Sequence, residues 1–468
     1  MIKFLIKDSS IYGFAEFIFR GLNYFTLPLF ALYFNVEEFG LLSLSLVGIQ
    51  FCAVLFNLGG ITAGVGRYFW QENSKLLIST GLYTSISVGV GAGLILLLME
   101  HYLSIEMFRA FTGLIILNGF FSAIYSYALQ VFRLQFTPWK FALHSLWLNL
   151  LTVILRLYAV YTLQKGVEGY LMASLAAFLV ALPFLLFSIR KELGLFFNWP
   201  LARSILHFSY PLLFISMAHW LCAAIDRMML FEMSTLLELG YYSVGFKLMT
   251  VIQMAIIAFN QAWHPHATRS FDEQREQFPL LFKKIMTLWS FFLVFSGGAL
   301  ALFSTEILLI AFPSNYLPSQ ECCVILSVAM IFWGMAQMSS LPISMHKKNH
   351  LHLIAAWLVA SLNFGLNYWL IPLYGATGAA FATTLSYLFL TLLYHLLCER
   401  IESIPLEWPK LLFCFFFLTL FTATALILQR FPWEISHFFI KIALFTSFIV
   451  GSGFLLNRNV LPQSSATC

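Results

Sequence analysis

The chain has 468 residues, of which 60% are hydrophobic and 10% charged, with 51 Phe and a formal net charge of +5. Soluble domains run about 45–50% apolar and about 25% charged, so a wholly soluble fold is excluded. A helical crossing needs about 20 apolar residues, and this length holds more than a dozen.

The first apolar span is 11–33. It carries Glu16, Arg20 and Asn23 at spacings of four and three, hence on one helical face. Its length, its charges and the lack of a small-residue cleavage site argue against a signal peptide. Spans 41–65, 78–99 and 109–132 follow. Span 141–163 sets Ser145, Asn149, Thr152 and Arg156 at helical spacing, and span 170–189 comes next. The segment 190–205 reads as a linker. Span 206–230 holds His219 and Asp226 two turns apart, with Arg227 adjacent. Span 240–262 holds Ser243, Lys247 and Thr250. Span 285–304 is plain. Span 322–345 is the weakest, because of Gln337 and its flanking turns. Span 351–371 holds Asn363 and Asn367, and 376–397 follows. Spans 411–428 and 438–456 end the series. The expected fold class is all-α, a polytopic membrane protein of about 14 transmembrane helices. Pro28, Pro183, Pro211 and Pro342 mark places for kinks.

Charge tests this order. With a cytoplasmic N-terminus, eighteen Lys and Arg fall in loops on that side. Arg109, Lys165, Arg430 and Lys441 fall on the other, beside acidic turns such as Glu37–Glu38 and Glu306. Cytoplasmic loops carry the Lys/Arg excess, so both termini are expected to be cytoplasmic and the span count even. The net positive charge suits loops near anionic lipid. No basic run is dense enough for nucleic acid. The seven Cys read as small apolar fillers.

The chain also repeats itself. Val36-Glu37-Glu38-Phe39-Gly40-Leu41-Leu42-Ser43 recurs as Leu236-Leu237-Glu238-Leu239-Gly240-Tyr241-Tyr242-Ser243. Gly166-Val167-Glu168-Gly169 recurs as Gly375-Ala376-Thr377-Gly378. The offset is about 200 residues in each case, and each Gly-x-x-Gly should let backbones approach closely. The expected organisation is two pseudo-symmetric six-helix lobes, 1–189 and 206–398, joined by 190–205. Two extra helices and a tail occupy 399–468. Parallel repeats of this kind place substrate near mid-membrane between the halves.

Four cations lie inside spans: Arg20, Arg156, Arg227 and Lys247. A charge at the bilayer centre costs about 2.5–3.5 kcal/mol on insertion scales, so each marks a candidate site, and together they suit an anionic substrate. Plainer readings stand beside this one. Glu16 and Arg20 neutralise each other at i,i+4. Arg227 and Lys247 snorkel to the interface. His219 is a hydrogen-bonded core residue, and Asn363 and Asn367 are glue within the helix bundle. His264-Pro265-His266 has no partner at metal spacing. His346, His350 and His352 add charge to a cytoplasmic turn. No metal site, cofactor site or phosphate loop of the Walker type is present, which excludes an ATP-driven pump on this chain alone.

Three passages resemble bacterial polysaccharide flippases of the multidrug/oligosaccharidyl-lipid/polysaccharide exporter superfamily. They are Arg20 to Gly59 with Glu37-Glu38-Phe39-Gly40 and the following Arg67-Tyr68-Phe69; Asp226-Arg227-Met228-Met229-Leu230 leading to Tyr242-Ser243 and Lys247-Leu248; and Tyr374-Gly375-Ala376-Thr377-Gly378-Ala379-Ala380. Arg133 followed by Lys140 is also similar. The resemblance implies a non-enzymatic carrier of the bacterial inner membrane. It implies an undecaprenyl-diphosphate-linked oligosaccharide moved from the inner to the outer leaflet by alternating access, for O-antigen, capsule or similar polysaccharide. Arg is suited to bidentate contact with phosphate, so Arg20 and Arg156, with Lys247 or Arg227, are expected to hold the diphosphate. Asn23, Asn149, Asn363 and Asn367 are expected glycan contacts. Glu16, Asp226 and His219 are candidates for charge pairing or for coupling to a proton or sodium ion. Other polysaccharide-assembly proteins are implied partners. Two helices beyond the usual twelve depart from the pattern; in a peptidoglycan-precursor branch such a pair lines a groove for the lipid tail. The rival readings are an ion-coupled multidrug exporter of the same superfamily, which would favour acidic cavity residues, and a membrane-embedded glycan polymerase or ligase, which would need a larger outward loop.

Overall fold

The repeated turn is built by the same capping chemistry in both copies. Asn35 Oδ1 accepts from Glu38 N at 2.7 Å, and Glu38 Oε2 accepts from Asn35 N at 3.0 Å. This reciprocal capping box starts the helix Val36–Phe56. In the second copy Thr235 Oγ1 accepts from Glu238 N at 3.2 Å and starts the helix Leu236–Glu273. The two glycines of the motif then meet. A Cβ on Gly40 would sit 2.8 Å from the Gly240 nitrogen, and one on Gly240 would collide with the Val36 carbonyl oxygen. The second motif repeats as faithfully: Gly166 and Gly375 have φ of 56° and 54°, the left-handed region that glycine enters without steric cost. The glycines three residues later are crowded too, Gly169 against Lys165 and Gly378 against the Leu370 carbonyl oxygen.

These crowded glycines yield a stability prediction. Gly240→Ala forces backbone apart, and overpacking of this sort costs about 1–3 kcal/mol. The apparent melting temperature of the detergent-solubilised protein should fall. Gly365→Ala, at a helical site with nothing within 4 Å, should leave it unchanged or raise it.

The computed structural model describes residues 21, 26–69, 72–103, 111–346, 348, 350–402, 406–431 and 433–457. The helices in chain order are α1 Leu27–Tyr33, α2 Val36–Phe56, α3 Ile61–Tyr68, α4 Ser74–Leu103, α5 Thr112–Leu134, α6 Pro138–Leu157, α7 Gly166–Ser188, α8 Trp199–Met233, α9 Leu236–Glu273, α10 Phe278–Leu302, α11 Ser304–Ala311, α12 Gln320–Ser339, α13 Leu341–Met345, α14 His350–Glu399, α15 Trp408–Leu428 and α16 Ile435–Asn457. No strand occurs among the described residues. Twelve helical stretches among them are long and apolar enough to cross a membrane. One of these, α14, has 50 residues and non-helical angles at Gly375. A straight helix of that length would measure about 75 Å, over twice the hydrocarbon core, so Gly375, with Pro372 before it, divides α14 into two. The expected total of fourteen also needs 11–33, of which only Gly21 and Thr26–Tyr33 are described.

The chain forms two compact units, Met1–Gly240 and Tyr241–Cys468. In the first, α8 lies along α2 and α3. Ser216 Oγ donates to the Gly59 carbonyl at 3.2 Å and Trp220 Nε1 to the Val47 carbonyl at 3.2 Å. Gly59, Gly60 and Gly64 leave room for Leu212, Ile205 and Ser209. Buried tyrosines tie the rest: Tyr127 OH donates to the Ile78 carbonyl at 2.8 Å and Tyr125 OH to the His144 carbonyl at 2.7 Å.

In the second unit the weakest expected span becomes the centre. The stretch Ser314–Met345 has 83% of its apolar window buried, more than any other crossing stretch described. Gln337 and the flanking turns make the span look weak in the sequence, but this helix faces protein, where a polar group carries no lipid penalty. Trp289 Nε1 of α10 donates to the Gly334 carbonyl of α12 at 3.1 Å, and Gly245 of α9 leaves room for Cys322. By contrast α16 has only 11% of its window buried. It is held by ring contacts of Phe448 with Phe291, Phe413, Phe417 and Phe421.

Candidate functional site

Arg156 is the best-placed of the candidate cations. It stands in the last turn of α6, half-buried. Its Nε donates to Ser174 Oγ of α7 at 2.8 Å, and its guanidinium lies 4.2 Å over the Tyr170 ring. Ser174 Oγ in turn donates to the Tyr170 carbonyl at 2.8 Å. Tyr170 also makes a T-shaped contact with Phe30 on α1, with centroids 5.1 Å apart. One end of the first expected span therefore reaches the same aromatic that carries the arginine. The α6 helix loosens directly after Arg156 into a π turn, Tyr158–Thr162, a departure that recurs at functional sites. Tyr161 OH there donates to the Leu29 carbonyl. The result is a guanidinium oriented by a hydrogen bond and a ring stack at the end of the polar stripe of α6.

Asp226 and Arg227 lie on α8, 2% and 6% exposed. Arg227 Nη1 donates to the Ala223 carbonyl one turn earlier, at 3.1 Å. That direction runs away from the near end of the helix, Met233, and so is opposite to snorkelling. His219 lies on the same helix, two turns before Asp226; its side chain falls outside the described set. Lys247 stands half-buried on α9 in the second unit, one turn from the fully buried Ser243.

Three of the asparagines expected as glycan contacts are buried. Asn149 is 5% exposed and donates to the Ser145 carbonyl at 2.5 Å. Asn363 and Asn367 are 4% and 0% exposed, and Asn367 Nδ2 donates to both the carbonyl and Oδ1 of Asn363, at 2.9 and 3.0 Å. All three spend hydrogen bonds within their own helices. Glu16, Arg20 and Asn23 lie outside the described residues.

Lys441 and Glu306 correct the reading of the outer loops. Both were assigned to solvent there, yet Lys441 is 2% exposed and its Nζ donates to both Glu306 oxygens at 2.9 Å. Trp433 Nε1 adds a bond to Glu306 Oε1 at 3.3 Å. The available signal was position: Lys441 falls inside the expected span 438–456. His346 also has a defined place, its Nε2 3.1 Å from Arg275 Nη2 and 3.5 Å from Glu402, and His352 bridges Ser344 and Tyr394. Among the described residues no group of His, Cys, Asp or Glu is arranged to hold a metal ion.

Comparison with known proteins adds the following. The family described as "Polysaccharide biosynthesis protein" matches residues 31–321, more than half of the chain. An "Uncharacterized membrane protein" of Haemophilus influenzae is 25% identical over 274 residues, 56% of this chain and 65% of that protein. The match thus spans slightly less than two thirds of that relative's length. The "Lsg locus putative protein 1" of the same organism is 24% identical over 307 residues, 62% of this chain and 72% of that protein. Among solved structures, "Lipid II flippase MurJ, inward closed conformation" superposes with a TM-score of 0.74 at 17% identity, covering 96% of this chain and 99% of that one. An inward-facing multidrug resistance MATE family transporter of the MOP superfamily superposes with a TM-score of 0.67 at 12% identity, covering 85% of this chain and 95% of that one. At these identities the likeness establishes a shared fold.

Proposed function

The chain belongs to the polysaccharide biosynthesis protein family, and from that premise we propose that it is a flippase for a polyprenyl-diphosphate-linked oligosaccharide, carried from the inner to the outer leaflet of the bacterial cytoplasmic membrane by alternating access. The observation that carries this reading is the oriented guanidinium of Arg156, bonded to Ser174 and stacked on Tyr170 at the end of the polar stripe of α6. A diphosphate does not enter hydrocarbon without compensation for its charge. A guanidinium already fixed in one orientation offers its fork at reduced entropic cost. Buried Arg227 and half-buried Lys247 support the same cargo, each in its own unit, and Asp226 beside Arg227 is the described candidate for charge pairing or ion coupling. The Lys/Arg excess on alternate loops favours cytoplasmic termini. The MATE likeness in fold keeps an ion-coupled drug exporter as the second reading. A preference for anions separates the two.

The test is transport by the purified full chain in liposomes. A lipid-linked oligosaccharide loaded in both leaflets is exposed to an external glycosidase. With the protein present, digestion should pass the half that sits outside at the start and run to completion. Digestion that stops at half, in vesicles whose protein is folded, would remove the flippase reading. Uptake of a cationic dye under an ion gradient would favour the exporter.

A further inference from the structure

The segment between α7 and α8 is a fixed strap with an apolar outer surface. Arg190–Glu192 form a single 3-10 turn, and the chain then runs extended to Trp199. Hydroxyls near the start of α4 tie it down. Ser79 Oγ accepts from Gly194 N at 2.9 Å, Tyr83 OH donates to the Gly194 carbonyl at 3.1 Å, and Thr80 Oγ1 accepts from Asn198 N at 3.2 Å. Asn198 Oδ1 also caps α8, accepting from Leu201 N at 3.0 Å. Gly194 and Asn198 thus turn their backbone groups inward at the two ends of the strap. Outward, Leu195, Phe196, Phe197 and Trp199 are 96%, 58%, 51% and 65% exposed.

Exposed apolar residues on a spanning helix need only lipid tails to explain them. Leu195, Phe196 and Phe197 do not fit that account, because they precede the crossing stretch, which begins at Trp199. Cations flank them: Arg190 and Lys191 are exposed, and the Arg190 guanidinium lies 3.7 Å over the Phe187 ring. The turn between α5 and α6 repeats the pattern. Phe136 and Trp139 are 58% and 69% exposed between exposed Arg133 and Lys140. The bond from Tyr127 to the Ile78 carbonyl puts the end of α5 beside the start of α4, so both patches occupy one end of the unit. Aromatic rings alternating with cations is the composition favoured at the headgroup layer.

We propose that this end of the first unit is seated in the anionic headgroup layer of the leaflet it faces. The strap buries Leu195, Phe196, Phe197 and Trp199 among the glycerol and upper acyl carbons, while Arg190, Lys191, Arg133 and Lys140 bind lipid phosphates. The occupant is lipid rather than a protein because the patch is continuous with spanning helices on both sides and its charge complements phosphatidylglycerol. The proposal rests on the membrane reading above and is independent of the cargo.

The full chain, with the photoreactive p-benzoylphenylalanine placed at Phe197, would be reconstituted in nanodiscs of equal phosphatidylglycerol and phosphatidylcholine and irradiated. Lipid adducts enriched in phosphatidylglycerol are expected. Arg190→Gln with Lys191→Gln should lower that enrichment by about fivefold per cation. The same probe at Leu98, an exposed position within α4, should give lipid adducts unaffected by either substitution. Adducts at Phe197 only with protein or water overturn the seat, as does enrichment that ignores the two substitutions. Loss of lipid adducts at Leu98 as well would sink the membrane reading itself.

Discussion

Arg156→Ala is expected to slow transport of the lipid-linked oligosaccharide by about 10- to 100-fold, with the protein still folded. A hydrogen bond to a charged group is worth about 1.5–3 kcal/mol, and loss of one cation from a diphosphate clamp removes at least one such bond. The folded state also gives up the Arg156 bond to Ser174 and its ring contact with Tyr170, a loss of similar size. The melting temperature should therefore fall as well, and transport is compared at equal amounts of folded protein. Two companions separate binding from support. Arg156→Lys keeps the charge and forfeits the fork, so transport should recover in part. Ser174→Ala keeps the whole guanidinium and frees its orientation. The apparent affinity for lipid-linked substrate should weaken in Ser174→Ala, and the shortfall should vanish at saturating substrate. Unchanged transport in Arg156→Ala would take Arg156 out of the clamp. An equal loss in Arg156→Ala and in an apolar control such as Leu150→Ala would show a merely structural effect.

The parts of the fold written in local chemistry were legible in the sequence. Glu38 and Glu238 three residues after Asn35 and Thr235, with glycines two residues later, encode a capped helix and a close crossing in a few residues, so the duplication was visible. Gly166 and Gly375 were visible because glycine takes φ near +55° with the least steric cost. What was not legible depended on partners far apart in the chain. Periodicity put Arg156 on a polar stripe. That stripe could not say that Ser174 and Tyr170 would hold the guanidinium, nor that Asn149 would turn back on its own helix. Asn363 and Asn367 read as packing more readily than as ligands, and the spacing alone could not say that Asn367 would bond to Asn363. The least secure of the expected spans, marked down for Gln337 and its flanking turns, lies in the most buried crossing stretch described, Ser314–Met345, because the sequence does not say which polar groups will face protein.

The Lys441–Glu306 pair shows the same limit at its largest, and it makes the second strong prediction. Its partners stand 135 residues apart, and charge counting assigned each to a loop. At 2% exposure for Lys441, removal of one partner leaves a charge in an apolar setting, a loss that costs about 3–5 kcal/mol. Glu306→Gln and Lys441→Met should therefore each lower the unfolding midpoint of the purified protein sharply. The double variant should not sum them. With both charges gone no desolvated ion remains, and apolar replacement of a buried pair is often neutral or stabilising. The midpoint of Lys441→Met with Glu306→Gln should return most of the way to that of the parent, leaving a coupling energy of several kcal/mol in the cycle. The effect should be local as well as large. Because α16 is otherwise attached by the ring contacts of Phe438, Phe445 and Phe448, the buried pair is the polar part of its attachment, so proteolysis between α15 and α16 should speed up in each single variant and not in the double. Additive losses in the cycle would mean that the two side chains stabilise the protein separately and that the pair is not what fastens the last helix.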